Sequence, residues 1–334
     1  MTTQPAPSSP LLAAHLHKGS TVSVTPHPAD EAMLFDVEAP PPVSLADKFL
    51  FPPFSVLDRR SGAWQDRKRA WLSMGMRSEV GRSDGAIFAT SRADGSSLDN
   101  VSAIHADYQQ GTSIFDPVVC ELVYRWLTRP GARVLDPFAG GSVRGITAST
   151  LARYYTGIDL REEQVEANRE QAHLGSDIAP EWIEGDARAV LQRADMPEGY
   201  DLVFSCPPYT DLEVYSDDPR DLSAMPWDDF LDAYRTIIRQ SVEHLRRDRF
   251  AAWAISDVRD RRGMYRCLVS ETIRAFTDAG AHLYNEAIIL DQIGTSALRA
   301  ERPFVTTRKL TRAHQHLLIF IKGDPRAATE WAAA

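Results

Sequence analysis

The stretch Arg133-Val-Leu-Asp-Pro-Phe-Ala-Gly-Gly-Ser142 decides the fold of this chain. Its apolar start predicts a strand, Asp136-Pro137 predicts a turn, and the small residues that follow predict a tight loop before a helix that begins at Val143. We expect Ser142 to cap that helix. A strand, a glycine loop and a helix N-terminus are together typical of a site for a nucleotide-like ligand, although Gly-Gly can also serve packing alone.

The next predicted strand, residues 154–160, supplies an acid at the spacing that such a site requires. Asp159 stands near the end of this strand, 18 residues beyond Gly141. A carboxylate there is placed to accept hydrogen bonds from ribose hydroxyls. The alternative is that Asp159 caps a helix beginning at Arg161. A further strand over 181–185 is followed directly by Asp186.

A second informative stretch is Phe204-Ser-Cys-Pro-Pro-Tyr209, which follows a strand of buried type at residues 200–204. Ligands of open α/β sheets bind at the carboxyl ends of strands, where this stretch lies. Pro207 and Pro208 fix φ and carry no N–H, so neighbouring carbonyls stay available as rigid acceptors. A Pro-Pro turn after a strand would explain the prolines but not the aromatic Tyr209 beside them.

Together the two stretches resemble the DNA amino-methyltransferases, which use S-adenosylmethionine to methylate adenine N6 or cytosine N4. The resemblance covers residues 112–323. It implies an α/β fold with a doubly wound, seven-stranded Rossmann-like methyltransferase sheet whose last strand is antiparallel. Cofactor contacts are then expected from Ser113, Phe115, Asp136, Pro137, Phe138, Gly140, Gly141, Ser142, Asp159 and Asp186. The resemblance implies that Asp186 contacts the adenine amino group of the cofactor. The catalytic stretch is expected to be Ser205, Cys206, Pro207, Pro208 and Tyr209.

The chemistry of amino methylation accounts for these residue types. The exocyclic nitrogen is a poor nucleophile because its lone pair is delocalised into the ring, and acceptors aimed at its hydrogens favour tetrahedral geometry during attack. Tyr209 can stack on a base flipped from the duplex. A hydride-transfer enzyme that binds NAD would share the glycine loop, but it would leave the Pro-Pro-Tyr stretch unexplained.

The chain departs from the family pattern at three positions. Gly141 and Ser142 replace the usual Ser and Gly of the loop, and both are small. Cys206 stands where the family has Asp, Asn or Ser, and sulfur is only a weak acceptor. A covalent role for Cys206, as in cytosine-C5 methylation, is the alternative; we favour carbonyl acceptors with help from Cys206 or Ser205.

Net charge is −9, so any DNA contact must come from local basic patches. Residues 55–82 carry net charge +4 with two interleaved tryptophans, and a solvated helix face explains them as well as phosphate contact does. Residues 291–313 carry +3 and form a long connection in which we expect DNA backbone contact. The residues expected to contact DNA are Arg67, Lys68, Arg69, Arg308 and Lys309.

Domain organisation follows from composition. We expect a disordered or linker tail over 1–49, a basic extension over 50–111 and a catalytic domain over 112–334. Within the last, we expect strands at 249–256, 282–290 and 314–321 and a helix at 264–279. With no adequate helix expected between the last two strands, we expect them to be an antiparallel pair.

Three scattered cysteines and the lack of a long apolar run predict a cytoplasmic protein with no disulfide framework, no metal site and no membrane contact. The predicted function is methylation of duplex DNA at a flipped base. An RNA guanine-N2 methyltransferase and a non-catalytic cofactor-binding subunit are the alternatives.

Overall fold

The computed structural model describes residues 44–77, 115–197, 199–209, 216–293 and 296–334. Ser113, nearly all of the predicted tail and the predicted domain boundary at 111/112 lie outside these residues. Residues 45–334 form one compact unit. Within the described parts of the chain, no helix is long and apolar enough to cross a membrane.

Helices and strands alternate through most of the chain. The strands are β1 Val56–Asp58, β2 Arg133–Asp136, β3 Tyr154–Asp159, β4 Glu181–Glu184, β5 Tyr200–Ser205, β6 Leu245–Ile255, β7 His282–Leu290 and β8 His314–Lys322. The helices are α1 Leu45–Phe49, α2 Gly62–Leu72, α3 Pro117–Leu127, α4 Val143–Thr150, α5 Glu162–Glu170, α6 Ala187–Val190, α7 Trp227–His244, α8 Leu268–Asp278, α9 Ser296–Thr307 and α10 Pro325–Ala333.

Among the described residues, the eight strands form one sheet in the order β1-β7-β8-β6-β5-β2-β3-β4. Every pairing is parallel except those of β8, which is antiparallel to both β6 and β7. The predicted fold class, a doubly wound α/β sheet with an antiparallel last strand, is confirmed. The strand count differs because β1 adds an eighth strand at the edge, paired with β7.

The connection between β7 and β8 differs from the prediction. It contains the helix α9, where the sequence indicated no adequate helix. Pro303 lies inside this helix, and proline removes an intrahelical hydrogen bond, so the segment reads as a loop. The antiparallel pairing of β7 with β8 is nevertheless confirmed, from His282 with Ile321 to Leu290 with His314.

The residues that precede the predicted catalytic domain are part of the same core. Trp64 and Trp71 of α2 are 1% and 8% exposed. The indole N–H of Trp64 donates to Asp116 (3.1 Å), and that of Trp71 donates to Glu121 of α3 (2.7 Å). The two tryptophans therefore anchor α2 on α3 through apolar burial and through hydrogen bonds to buried carboxylates.

Candidate functional site

The two stretches singled out in the sequence meet at one cavity of about 400 Å³. It lies at the carboxyl ends of the parallel strands, where β2 has β3 on one side and β5 on the other. This is the point at which the strand order reverses, the usual ligand site of a doubly wound sheet. Predicted site residues that border it are Phe115, Pro137, Phe138, Gly140, Gly141, Asp159, Asp186, Cys206, Pro207, Pro208 and Tyr209.

The glycine loop after β2 is held against the end of β3. Gly140 has φ +51°, a conformation that favours glycine, and its amide donates to Asp159 Oδ2 (2.9 Å). The side-chain amide of Asn168 donates to the Gly140 carbonyl (2.7 Å), and the Ala139 amide donates to the Ile158 carbonyl (2.9 Å). The loop is therefore fixed from both sides, with small residues facing the cavity.

Asp159 fixes the loop while its side chain borders the cavity. Its Oδ1 accepts from the backbone amide of Arg161 (3.0 Å), but the helix begins at Glu162 with Arg161 as its N-cap residue, so Asp159 does not cap it as the alternative supposed. Its side chain is 14% exposed. Burial raises the pKa of Asp159 above its ordinary value, although the Arg161 charge and the two backbone donors oppose that rise. Ribose binding by this carboxylate stays a prediction.

Three predicted site residues do not border the cavity. Asp136, Ser142 and Ser205 are each 0% exposed. Asp136 is held by Arg144 Nε (2.5 Å), by the Tyr155 hydroxyl (2.7 Å) and by the Ser205 hydroxyl (2.5 Å). Asp136 and Ser205 thus join β2 to β5 inside the protein, and direct ligand contact by them stays a prediction. Ser142 makes no side-chain capping hydrogen bond, so that prediction is wrong.

Arg144 was not singled out in the sequence, yet it supports the glycine loop from below. Its Nη2 donates to the carbonyls of Phe138 (2.6 Å) and Ala139 (2.8 Å), and its guanidinium lies 4.7 Å from the centre of the Phe115 ring. Burial lowers the pKa of Arg144, but the charge of Asp136, its hydrogen bond and the nearby Tyr155 and Cys206 together outweigh burial, and the pKa is raised overall. Arg144 is a charged residue in the otherwise uncharged, buried helix α4, and this pattern is the sequence signal that could have identified it.

The catalytic stretch is linked to β8 through Tyr209. The Tyr209 hydroxyl lies 3.6 Å from Cys206 Sγ and donates to Gln315 Oε1 (3.4 Å). Gln315 Nε2 in turn points at Asp291 Oδ2 (3.5 Å), and Asp291 is paired with Arg59 Nη1 (2.7 Å). Gln315 and Arg59 border the cavity, and neither was predicted because they come from distant segments of the chain.

No family model matches this chain, and no curated protein does either. Solved structures give weak likenesses. TrmN from Thermus thermophilus is 18% identical over 62% of this chain and 49% of its own, with a TM-score of 0.41. The magnesium protoporphyrin IX methyltransferase ChlM from Synechocystis PCC 6803 is 13% identical over 68% and 92% (TM-score 0.41), and the [4+2]-cyclase SpnF is 14% identical over 65% and 83% (TM-score 0.44). At these values the likenesses assign neither an activity nor a substrate.

Asp186 borders the cavity from the start of α6. Its carboxylate caps this helix by accepting from the Arg188 amide (2.9 Å) and pairs with the Arg188 guanidinium (2.6 Å). Gly185 precedes it with φ +145°, which turns the chain from β4 toward the cavity. The predicted contact with an adenine amino group is therefore open to Asp186 by position and stays a prediction.

The residues predicted to contact DNA have different surroundings. Arg67 is paired with Glu121, Lys68 lies 3.9 Å from Asp116, and Arg69 is exposed beside Asp66. The structure thus gives Arg67 an internal partner, in keeping with the alternative of a helix face anchored by tryptophans. The predicted contacts Arg308 and Lys309 are exposed, just after α9. Within the described residues, no group of three or more His, Cys, Asp or Glu side chains could hold a metal ion.

Proposed function

We propose that this chain is an S-adenosylmethionine-dependent methyltransferase that acts on the exocyclic amino group of adenine or cytosine in duplex DNA. The observation that carries the proposal is the meeting of the glycine loop and the Cys206–Tyr209 stretch at one cavity. One side of this cavity has the backbone and carboxylates suited to a nucleoside, and the other has the prolines and the aromatic ring suited to a base.

The residues present fit the cofactor. A volume of about 400 Å³ falls in the range of small-molecule pockets, roughly 300–1,000 Å³. Asp159 holds the ribose hydroxyls, Gly140 and Gly141 allow close approach of the backbone, and Asp186 lies where the resemblance puts the adenine contact. When bound, S-adenosylmethionine supplies an electrophilic methyl group.

The other end of the cavity prepares the amino group for attack. Its nitrogen lone pair would form the new N–C bond as the S–CH3 bond breaks and leaves its electron pair on sulfur, and the surplus N–H proton would pass to solvent water. Pro207 and Pro208 leave neighbouring carbonyls available as acceptors for the amino hydrogens. Gln315 Oε1 adds a neutral side-chain acceptor close to Cys206, where the family has a stronger acceptor than sulfur. Tyr209 stacks on the flipped base and orients its nitrogen.

Tritium transfer from labelled cofactor tests the proposal with duplex DNA and tRNA as competing acceptors. We expect label in DNA with the wild type and little with Tyr209→Ala. Tyr154→Ala is the matched control, because Tyr154 is 54% exposed at the start of β3, on the opposite edge of the sheet. Label in tRNA alone would favour the RNA alternative. Cofactor binding by calorimetry without transfer to either acceptor would indicate a non-catalytic subunit.

A further inference from the structure

A short hairpin follows the carboxyl end of β6, on the side of the sheet that carries the cavity. It spans residues 257–266, between β6 and α8. Only residues 264–266 fall within the helix predicted at 264–279, which begins instead at Leu268. Arg259 and Tyr265 form its bridge, and the Asp260 amide donates to the Met264 carbonyl (2.8 Å). At its base, the Arg266 amide donates to the carbonyl of Val258 (2.8 Å), which is 2% exposed. The hairpin is thus a hydrogen-bonded element anchored in the core.

Its neighbours place it beside the cavity. Ala254, three residues before the hairpin, borders the cavity from β6. Arg266 lies 4.9 Å from the ring centre of Trp227, at the start of α7. On the other side, the guanidinium of Arg312 lies 5.2 Å from the ring centre of Tyr265. Arg312 precedes Gln315 by three residues. The hairpin therefore lies between α7 and the residues that lead into β8.

The charge of this surface is opposite to that of the whole chain. The hairpin has four arginines, Arg259, Arg261, Arg262 and Arg266, against Asp257 and Asp260, a net of +2. Both aspartates accept backbone hydrogen bonds, Asp257 from Leu268 and Asp260 from Arg262 and Met264. Residues 308–312 add +3 from Arg308, Lys309 and Arg312. In a chain of net charge −9, this concentration suits a polyanion.

The tip of the hairpin is apolar as well as basic. Met264 is 63% exposed, and Arg261 and Arg262, both exposed, precede it by three and two residues. Methionine is unbranched and adaptable, and proteins that distort a duplex insert such side chains between base steps while arginines hold the backbone. A partner that is only an acidic surface would leave the exposed thioether without a role.

We infer that the 257–266 hairpin enters duplex DNA at the target site, with Arg261 and Arg262 on phosphates and Met264 inserted where the base leaves the stack. The inference deepens the proposed function, on which it rests. Met264 then occupies the space that the flipped base leaves in the duplex, while the base itself occupies the cavity. Flipping costs unstacking energy, and a side chain that fills the gap offsets part of that cost.

The first test measures binding alone. Fluorescence anisotropy with a random-sequence duplex of about 30 base pairs gives the salt dependence, and each lost phosphate contact lowers the slope by about 0.9. We expect Arg261→Gln/Arg262→Gln to lower it by about 1.8. The control is Arg193→Gln/Arg247→Gln, which removes two exposed arginines from the opposite edge. An unchanged slope in the hairpin variant overturns the inference, as does a hairpin-dependent preference for tRNA over the duplex.

The second test concerns the tip. A duplex with one abasic nucleotide needs no base to unstack, so we expect the wild type to bind it about tenfold more tightly than the intact duplex. Met264→Ala should abolish this preference, whereas Leu283→Ala, a 39% exposed control on the opposite edge, should keep it. A preference retained in Met264→Ala overturns insertion. Neither test needs methyl transfer, so a failure of the proposed function in the tritium experiment is separately visible.

Discussion

Asp136 and Arg144 form a buried ion pair, with Arg144 Nε 2.5 Å from Asp136 Oδ2, directly under the loop that joins β2 to α4. The same guanidinium donates to two carbonyls of that loop. The loop is therefore held in shape by a buried charge at the border of the cavity.

Arg144→Leu should lower the free energy of unfolding by about 3–5 kcal/mol, because it leaves the buried carboxylate of Asp136 without its countercharge. Urea denaturation measures the loss. Arg193→Leu, which breaks the exposed pair with Asp195, should leave the free energy of unfolding nearly unchanged. Equal losses in the two variants would contradict a special role for the buried pair.

Asp159→Ala should weaken the binding of S-adenosylmethionine by about 1–3 kcal/mol, the cost of losing charge-assisted hydrogen bonds. Only the carboxylate form accepts fully, and burial raises its pKa above the ordinary value of 3.8. Wild-type affinity should therefore fall with decreasing pH from a point above 3.8. Calorimetry over a pH series checks this. Asp159→Asn should lose that acidic limb, and undiminished binding by Asp159→Ala would remove this residue from the site.

Cys206→Ser should keep or raise turnover, because a hydroxyl accepts a hydrogen bond better than a thiol. Tyr209→Ala should cost far more, since stacking on a flipped base contributes about 1–3 kcal/mol and also orients the nitrogen. Single-turnover rates compare the two variants. A covalent role for Cys206 would reverse the order, with a nearly dead serine variant and a trapped complex on 5-fluorocytosine DNA in a denaturing gel.

Gln315→Leu should lower kcat and kcat/KM together by about tenfold, because the lost acceptor matters most as the amino nitrogen becomes tetrahedral. Cofactor affinity should be unchanged, which separates this effect from a general disturbance of the cavity. Gln192→Leu, at an exposed position, is the matched control. A rise in KM with kcat preserved would assign Gln315 to substrate binding alone.

Arg67→Gln should cost about 1–2 kcal/mol of unfolding free energy at neutral pH by removing a partner of buried Glu121. Burial alone would raise the pKa of Glu121, but hydrogen bonds from Arg67, Trp71 and Arg125 outweigh it, so the pKa lies below the ordinary value of 4.5. This stabilisation is present above pH 4.5 and is lost as the pH falls through the lowered pKa. Denaturation at neutral and acidic pH should show the variants converging; a constant gap would contradict the linkage.

The strands with strong apolar patterns could be predicted from the sequence. β7 begins and ends where expected, at 282–290, and β8 extends the expected 314–321 by one residue. β6 begins earlier than the expected 249, because α7 runs directly into it through the polar stretch that follows Leu245. Pairing with a distant strand sets the start of β6, because Leu245 pairs with Tyr200 of β5 before the register shifts.

Features set by contacts between distant segments could not be predicted. β1 has only three residues, and its identity as a strand depends on pairing with β7. The hairpin at 257–266 could not be predicted, and its last three residues fell in the helix predicted at 264–279, because its Arg-Gly-Met-Tyr sequence carries no strand alternation. Arg59 and Gln315 could not be predicted as cavity residues either, because they reach the cavity only through the order of strands in the sheet.

The position of β8 governs the order in which the sheet can be completed. β6 and β7 are consecutive strands, but they pair with β8 and not with each other. Until β8 has been synthesised, the described strands β7 and β1 have no route into the sheet through backbone pairing. Such non-local contacts slow folding and leave strand edges exposed to other chains. We therefore expect nascent chains that stop before His314 to be prone to aggregation, even though both stretches that form the cavity have already been made.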